Sequence, residues 1–469
     1  MEKRLTLKQL AQATGGSLEN CDENIRVGDV VTDSRRDCCG AVFVALRGDS
    51  FDGHNFAVQV AAKGAVCCVI CRDYEAKTAL PCLRVDDTLR ALEDIAALYR
   101  AQFDLPTVAI TGSVGKTSTK EMVASVLMQR YKTLKTDGNF NNEIGVPLTL
   151  FRIEDSDEVA VIEMGMSAFG EISRLTRIVK PETAIITNIG YSHIENLKSQ
   201  ENILKAKLEV LEGLSADGTV ILNGDDKFLR ETEGSLPFET LYYGIDSDGC
   251  DIRAAEVKTF SDATEFKAVI GGSSYPIRIN VAGIHHVYNA LAAILVGIKY
   301  NIPIKEIAAG IEAFTPGGMR QKIERLDGCT LIRDCYNASP TSMQSGLEVL
   351  SVTKPNDTNV PSRRVAILGD MLELGDYAEQ AHREVGGLCC KYDVGCLIAV
   401  GSNAKFIAEG AIEKGFATSE IYVFPGNSAL EAHIDEIIKP NDVILLKGSR
   451  GMRLEEVADY IAKSRGEKD

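Results

Sequence analysis

The chain has 469 residues, 45% of them hydrophobic and 25% charged, and a formal net charge of −16. At ~150 residues per domain this length predicts about three domains. The negative balance excludes a general nucleic-acid or membrane-surface binder, which needs a surplus of Lys and Arg. No run of about 18 apolar residues occurs, and the first residues have no apolar core of signal-peptide length, so a cytoplasmic protein with no stable membrane insertion is expected.

In chain order, short apolar runs at 42–46 and 65–71 predict strands, and the pattern over 89–99 predicts a helix. The 13 cysteines fall in pairs and apolar runs, as at Cys38-Cys39, Cys67-Cys68 and Cys389-Cys390. Reduced Cys packs there as a small hydrophobe. Cys68 and Cys71 form a C-x-x-C, but this step on a strand puts the two side chains on opposite faces. No second pair completes a zinc site. A buried strand is expected rather than a redox or metal centre.

Pro106 precedes a new strand at 107–110. Near-continuous apolar runs at 159–164, 183–187 and 219–222 fit strands buried on both faces of a parallel sheet. Met122, Val123, Val126 and Leu127 form a helical stripe. An Ala-rich helix over 285–300 ends at Asn301-Ile302-Pro303, because proline cannot continue it. Residues 315–320 read as a linker. Strands then restart at 330–334, 365–368, 396–400, 421–424 and 443–447, giving a second open α/β unit without G-x-G-x-x-G. The expected fold is α/β in three domains, at 1–100, 101–316 and 317–469. The second is a parallel-sheet domain of the phosphate-loop ATPase type and the third is Rossmann-like.

The stretch Thr111-Gly112-Ser113-Val114-Gly115-Lys116-Thr117 resembles a phosphate loop two residues short of G-x-x-x-x-G-K-[ST]. Its glycines admit close backbone approach to oxygens, and the following helix start adds partial positive charge. Lys116 would reach the outer phosphates and the Thr117 hydroxyl would bind Mg²⁺. The loop alone leaves a kinase, a GTPase or a ligase open. Glu163 ends the strand at 159–164, where an open α/β sheet presents side chains to such a loop, and would add oxygen to a Mg²⁺ shell. His193 follows the strand at 183–187 and is expected at the same sheet edge as a metal ligand. Lys207 follows on a helical segment, with Lys205 its rival.

This combination resembles the ATP-dependent Mur ligases of bacterial cell-wall synthesis, which share with folylpolyglutamate synthetase a shortened loop of the type T-G-x-x-G-K-[ST]. Val114 stands where most of these enzymes have Asn or a similar polar residue. The likeness runs almost end to end. It includes Asp33-Ser34-Arg35 and residues 42–56, residues 138–150, Ala206-Lys207-Leu208-Glu209, residues 334–340, residues 369–375 and Lys447-Gly448-Ser449-Arg450. The last three segments resemble the branch that adds D-alanyl-D-alanine to UDP-N-acetylmuramoyl-tripeptide. Arg333 departs from the family, which often has an acid there.

The resemblance implies a monomer with a UDP-sugar-binding first domain. It also implies ATP, two Mg²⁺ ions, a carbamoylated Lys207 and an acyl-phosphate intermediate. It assigns Lys116, Lys207 and His193 to catalysis. Gly112, Ser113, Gly115, Lys116, Thr117, Ser118, Asn289, Arg320, Asp334 and Tyr336 would bind ATP. Thr117, Glu163, His193 and Lys207 would bind metal, and Ser34, Arg47, Asn55, Asn141, Asn142, Lys447, Ser449 and Arg450 the substrates. Another ligase of the superfamily, or a nucleotide-binding regulator, remains the alternative.

Overall fold

The structure is a computed structural model that describes residues 1–466 except 3–4, 49–50 and 76–80. Asp49 and Ser50 of the 42–56 stretch, and the final residues 467–469, lie outside the described residues. Three main sheets form, one from each third of the chain.

The first sheet orders its strands Ser17–Glu19, Cys82–Val85, Cys67–Cys71, Ala41–Val44 and Asp29–Val31. Cys67 and Val69 enter one apolar cluster and Cys68 and Ile70 another, the alternation of a strand buried on both faces. All thirteen cysteines are free thiols. The helix Thr88–Arg100 leads out of this region. The buried Arg100 guanidinium donates to the carbonyls of Val179, Phe103 and Leu105 at 3.1, 2.8 and 2.7 Å, joining the first and second regions.

In the central sheet, Thr107–Thr111 lies between Val159–Glu163 and Thr183–Ile186, all parallel. Register sets Glu163 beside Ile110 and Ile186 beside Thr111. The loop after Thr111 is therefore flanked by the ends of both neighbours. The helix Lys116–Leu127 packs back onto the sheet under the Ala-rich helix His285–Lys299. The sheet continues beyond its parallel part: Ile252–Thr259, Thr264–Ile270 and Ser273–Ile279 form an antiparallel meander. One half-exposed face gives those strands alternating rather than continuous apolar residues.

The third sheet orders Lys322–Leu326, Cys329–Asp334, Asp442–Lys447, Arg364–Gly369, Cys396–Val400 and Ile421–Phe424. The first strand is antiparallel and the rest are parallel. The last strand in the chain inserts between two earlier ones. The carboxyl ends at Asp334, Gly369 and Lys447 thus meet at a switch point, where open α/β sheets bind ligands.

Candidate active site

The phosphate loop owes its shape to two backbone conformations. Gly112 has φ +146° and Gly115 φ +86°. A Cβ on Gly112 would run into the Thr187 hydroxyl, so the glycine is required by space as well as by dihedral. The strand Thr183–Ile186 supplies a brace just past its end. Asn188 Oδ1 accepts from Val114 N at 2.9 Å, and Asn188 Nδ2 and Thr187 Oγ1 both donate to Val114 O at 2.9 and 2.6 Å. Ser113 N donates to Asn188 O at 3.0 Å, and Gly190 N to the Ser113 hydroxyl at 2.8 Å. Main-chain bonds to Asn188 therefore fix the loop at Val114. Past Gly115 the helix begins, and its first-turn N–H groups, at Lys116, Thr117 and Ser118, have no intrahelical partner. Such a row of free N–H groups can cradle an anion.

Lys116 Nζ donates to Gly112 O at 2.8 Å, folded back over the loop. Desolvation, opposed by Glu163 and aided by Arg320, holds its pKa below the usual lysine value. Thr117 Oγ1 donates to Glu163 Oε1 at 3.1 Å and accepts from Arg320 Nη2 at 3.1 Å. Asn141 Nδ2 reaches the same Glu163 oxygen at 2.7 Å. One chain of contacts thus joins the linker, the phosphate loop, a strand end and the 138–150 segment. The other Glu163 oxygen is buried without a hydrogen-bond partner.

Lys207 and Lys205 separate cleanly: Lys207 is 2% exposed and Lys205 lies on the surface. Desolvation, and then the charge of Lys116, pushes the Lys207 pKa well below the ordinary lysine value. Among the described residues no ion-pair partner compensates. His193 lies at the same sheet edge, its Nδ1 2.6 Å from Glu373 Oε2. Among the described residues no three His, Cys, Asp or Glu side chains form a ready-made metal cage. The donors present are a hydroxyl, an orphaned carboxylate oxygen, an imidazole and a desolvated amine. They fit divalent cations once the amine carries CO₂ and becomes an oxygen ligand.

The residues expected to bind ATP are split across the linker. Arg320 stacks on the Tyr336 ring, its guanidinium carbon 3.8 Å from the centroid. Asn289 is buried beside Gly115, its Oδ1 accepting from Thr119 at 2.9 Å. Gln321 bridges the neighbouring imidazoles of His285 and His286 at 2.9 Å each. Desolvation lowers both, His286 to about 4, so both are neutral near pH 7. Asp334 and Lys447, adjacent in register, form a buried pair at 2.6 Å. Lys447 also donates to Asn337 O at 3.2 Å, so its ammonium is committed within this crevice rather than open to a substrate carboxylate. Ser449 Oγ accepts from Leu372 N at 2.9 Å, and Arg450 pairs with Glu455 at 3.0 Å, mostly exposed.

On the other side a cleft of about 1290 Å³ opens between the first and central regions, lined by Asp33, Arg36, Lys135, Phe140 and Arg152 among others. Ser34, Arg47 and Asn55 are not among its lining residues. Arg47 pairs with Asp73 at 3.1 Å, Ser34 O holds Lys63 Nζ at 2.9 Å, and Asn55 is exposed. Asn142 Oδ1 accepts from Gly145 N at 2.9 Å and so closes the turn into the helix Gly145–Leu150. A smaller cavity of about 510 Å³, between Phe260 and Lys354, touches none of these residues.

With this geometry in hand, the comparisons are specific. Residues 110–297 match the Mur ligase middle domain and residues 319–450 the Mur ligase, glutamate ligase domain. Over 466 residues, 98% of each chain, the sequence is 36% identical to the UDP-N-acetylmuramoyl-tripeptide–D-alanyl-D-alanine ligase of Bacillus subtilis strain 168. The chain belongs to the Mur ligase family. As a Mur ligase it matches MurF from Acinetobacter baumannii with a TM-score of 0.89 at 30% identity, covering 98% of this chain and 99% of that one. It matches the Thermotoga maritima MurF ligase, solved in complex with ADP, with a TM-score of 0.81 at 25% identity, covering 93% and 97%. Sequence reasoning missed four residues of this Mur ligase site: Asn188, Gln321, His285 and Glu373. Glu373 lies inside the 369–375 segment that carries the family likeness, and His285 stands beside His286 at a helix start; Asn188 and Gln321 gave no signal.

Proposed function

We propose that this Mur ligase joins D-alanyl-D-alanine to UDP-N-acetylmuramoyl-tripeptide using ATP, giving the pentapeptide precursor of peptidoglycan. The observation that carries the reading is convergence. The phosphate loop, Glu163, His193 and Lys207 share one crevice with Asp334, Tyr336 and Arg320 from beyond the linker. Full-length likeness to enzymes of that name, one of them solved with ADP, supports it.

The chemistry follows from the charges. A terminal carboxylate is a poor electrophile, so it first attacks the γ-phosphorus of ATP. The bond to ADP breaks and an acyl phosphate forms. The free amine of D-alanyl-D-alanine then attacks the acyl carbon. The bond to phosphate breaks, inorganic phosphate leaves and the nitrogen loses a proton. The first step brings two anions together and needs dense positive charge. Lys116 and Arg320 supply it from opposite sides of the seam, and the first-turn N–H groups orient the phosphates. Stacking on Tyr336 holds the planar Arg320 guanidinium in place. Two Mg²⁺ ions would be held by Thr117 and Glu163, and by His193 with a carbamoylated Lys207, adding charge neutralisation.

The carbamate is supported by the state of Lys207, because only a neutral amine reacts with CO₂ and burial favours that form. Ser449 and Arg450 remain for the acceptor end, and Asn141 for the muramoyl substrate. We place the domains at 1–100, 101–316 and 317–469, the first binding the UDP-sugar, and the enzyme as a monomer in the cytoplasm. No helix among the described residues is long and apolar enough to cross a membrane.

Phosphate release with ATP and Mg²⁺ tests the assignment, with the muramoyl tripeptide and D-alanyl-D-alanine added singly and together. Release that needs both, with pentapeptide found by mass, is the expected result. Release with the tripeptide and a different amine moves the assignment to a sister ligase. Release that needs neither supports a regulator instead.

A further inference from the structure

The segment 369–375 leaves the end of the strand Arg364–Gly369 and crosses to the central region. It is held firmly at its base. Met371 N donates to His382 Nε2 at 2.9 Å and Leu372 N to Ser449 Oγ at 2.9 Å. The Asp370 carboxylate accepts from Ser402 N and Asn403 N at 2.9 and 3.1 Å. At its tip Glu373 has φ +62°, a left-handed conformation that a residue with a Cβ keeps only where its surroundings impose it.

What imposes it lies across the seam. Glu195 N donates to Glu373 O at 3.2 Å, and Glu373 Oε2 stands 2.6 Å from His193 Nδ1. His193 is also left-handed, at φ +61°. The rings of Tyr191 and Tyr377 approach to 6.0 Å beside them. His193 Nδ1 is buried within hydrogen-bonding distance of this carboxylate and meets no other partner among the described residues.

We infer that Glu373 is a positioning residue: a carboxylate from the C-terminal region that holds His193 by Nδ1 and so makes docking of that region and divalent-cation binding at His193 depend on each other. The inference rests on the reading of His193 as a metal ligand. A carboxylate on one ring nitrogen fixes the tautomer, leaves the other nitrogen's lone pair for a cation and raises its basicity. Glu373 belongs to the part that moves if the regions separate. It therefore reaches His193 only in the docked arrangement. Linkage then requires the converse: a cation on His193 favours docking by the same factor.

The test uses the full chain with a non-hydrolysable ATP analogue and the muramoyl tripeptide. Mn²⁺ binding is followed by electron paramagnetic resonance, and compaction by small-angle scattering, for the parent, Glu373→Ala, Glu373→Gln and His193→Ala. Thermal melts confirm that each folds. The Mn²⁺ that His193→Ala loses should bind ~10–100-fold less tightly in Glu373→Ala. Mn²⁺-dependent compaction should disappear, and Glu373→Gln should restore part of both. If His193→Ala loses one Mn²⁺ while Glu373→Ala binds both as the parent does, the inference fails and the metal site stands. Tighter binding in Glu373→Ala also overturns it, because Glu373 would then compete for His193. If His193→Ala retains both ions, the metal-site reading itself fails.

Discussion

Burial removes most of the water that would hold the Lys207 charge, and no ion pair among the described residues replaces it. Its folded pKa lies well below the ordinary lysine value, whereas the unfolded chain restores ~10.4. Between the two values the unfolded state binds more protons, so stability rises with pH across that window. Protein stripped of bicarbonate should therefore gain thermal stability as pH rises from the depressed folded value towards the unfolded one, ~10.4. Lys207→Met should lose part of that slope in parallel melts. Labelled bicarbonate should give a carbamate carbon resonance in the parent and none in the variant. A slope that Lys207→Met leaves unchanged would assign it to other groups. The sequence frame Ala206-Lys207-Leu208-Glu209 favours Lys207 over Lys205, and their burial separates them physically. What the residues alone could not give is the pairing of Asp334 with Lys447, 113 positions apart, which depends on the register of two parallel strands.

At the scale of elements, the helix after the phosphate loop carries a second lysine with a different task. Lys120 is fully buried, donates to Thr136 O at 2.7 Å, pairs with Glu121 at 2.9 Å and lies 3.9 Å from the orphaned Glu163 oxygen. Thr136 Oγ1 in turn accepts from Glu163 N at 3.0 Å. The helix thereby ties the strand end to the root of the 138–150 segment. Removing one partner of a buried charge pair costs ~3–5 kcal/mol, because the other charge is left uncompensated. Lys120→Met should lower stability by about that amount in denaturant titration. The deficit should narrow with Mg²⁺ if a cation compensates Glu163. An unchanged midpoint would show that Glu163 does not need this neighbour.

Strand ends at the crevice were legible because parallel strands buried on both faces read as continuous apolar runs closed by a polar residue, as at Val159–Glu163 and Asp442–Lys447. The meander at 252–279 was not legible. Its burial alternates with one wet face, and Arg253, Lys267 and Arg278 interrupt every apolar run.

Over the whole molecule, the crevice is complete only when the C-terminal sheet sits against the central one. Arg320 on Thr117, Gln321 on the two histidines and Ile284 N on Glu348 at 3.3 Å all cross or border that seam. Closure of this kind excludes water from a reactive acyl phosphate. Scattering should show the compact form dominant when both the ATP analogue and the muramoyl tripeptide are bound. An unchanged radius on adding both would argue against closure as part of the cycle. In the proposed cycle phosphate passes to a carboxylate and not to water. Turnover of muramoyl tripeptide labelled with oxygen-18 in its terminal carboxylate tests this most directly. One labelled oxygen in each released phosphate is the predicted result; unlabelled phosphate alongside pentapeptide product would contradict it.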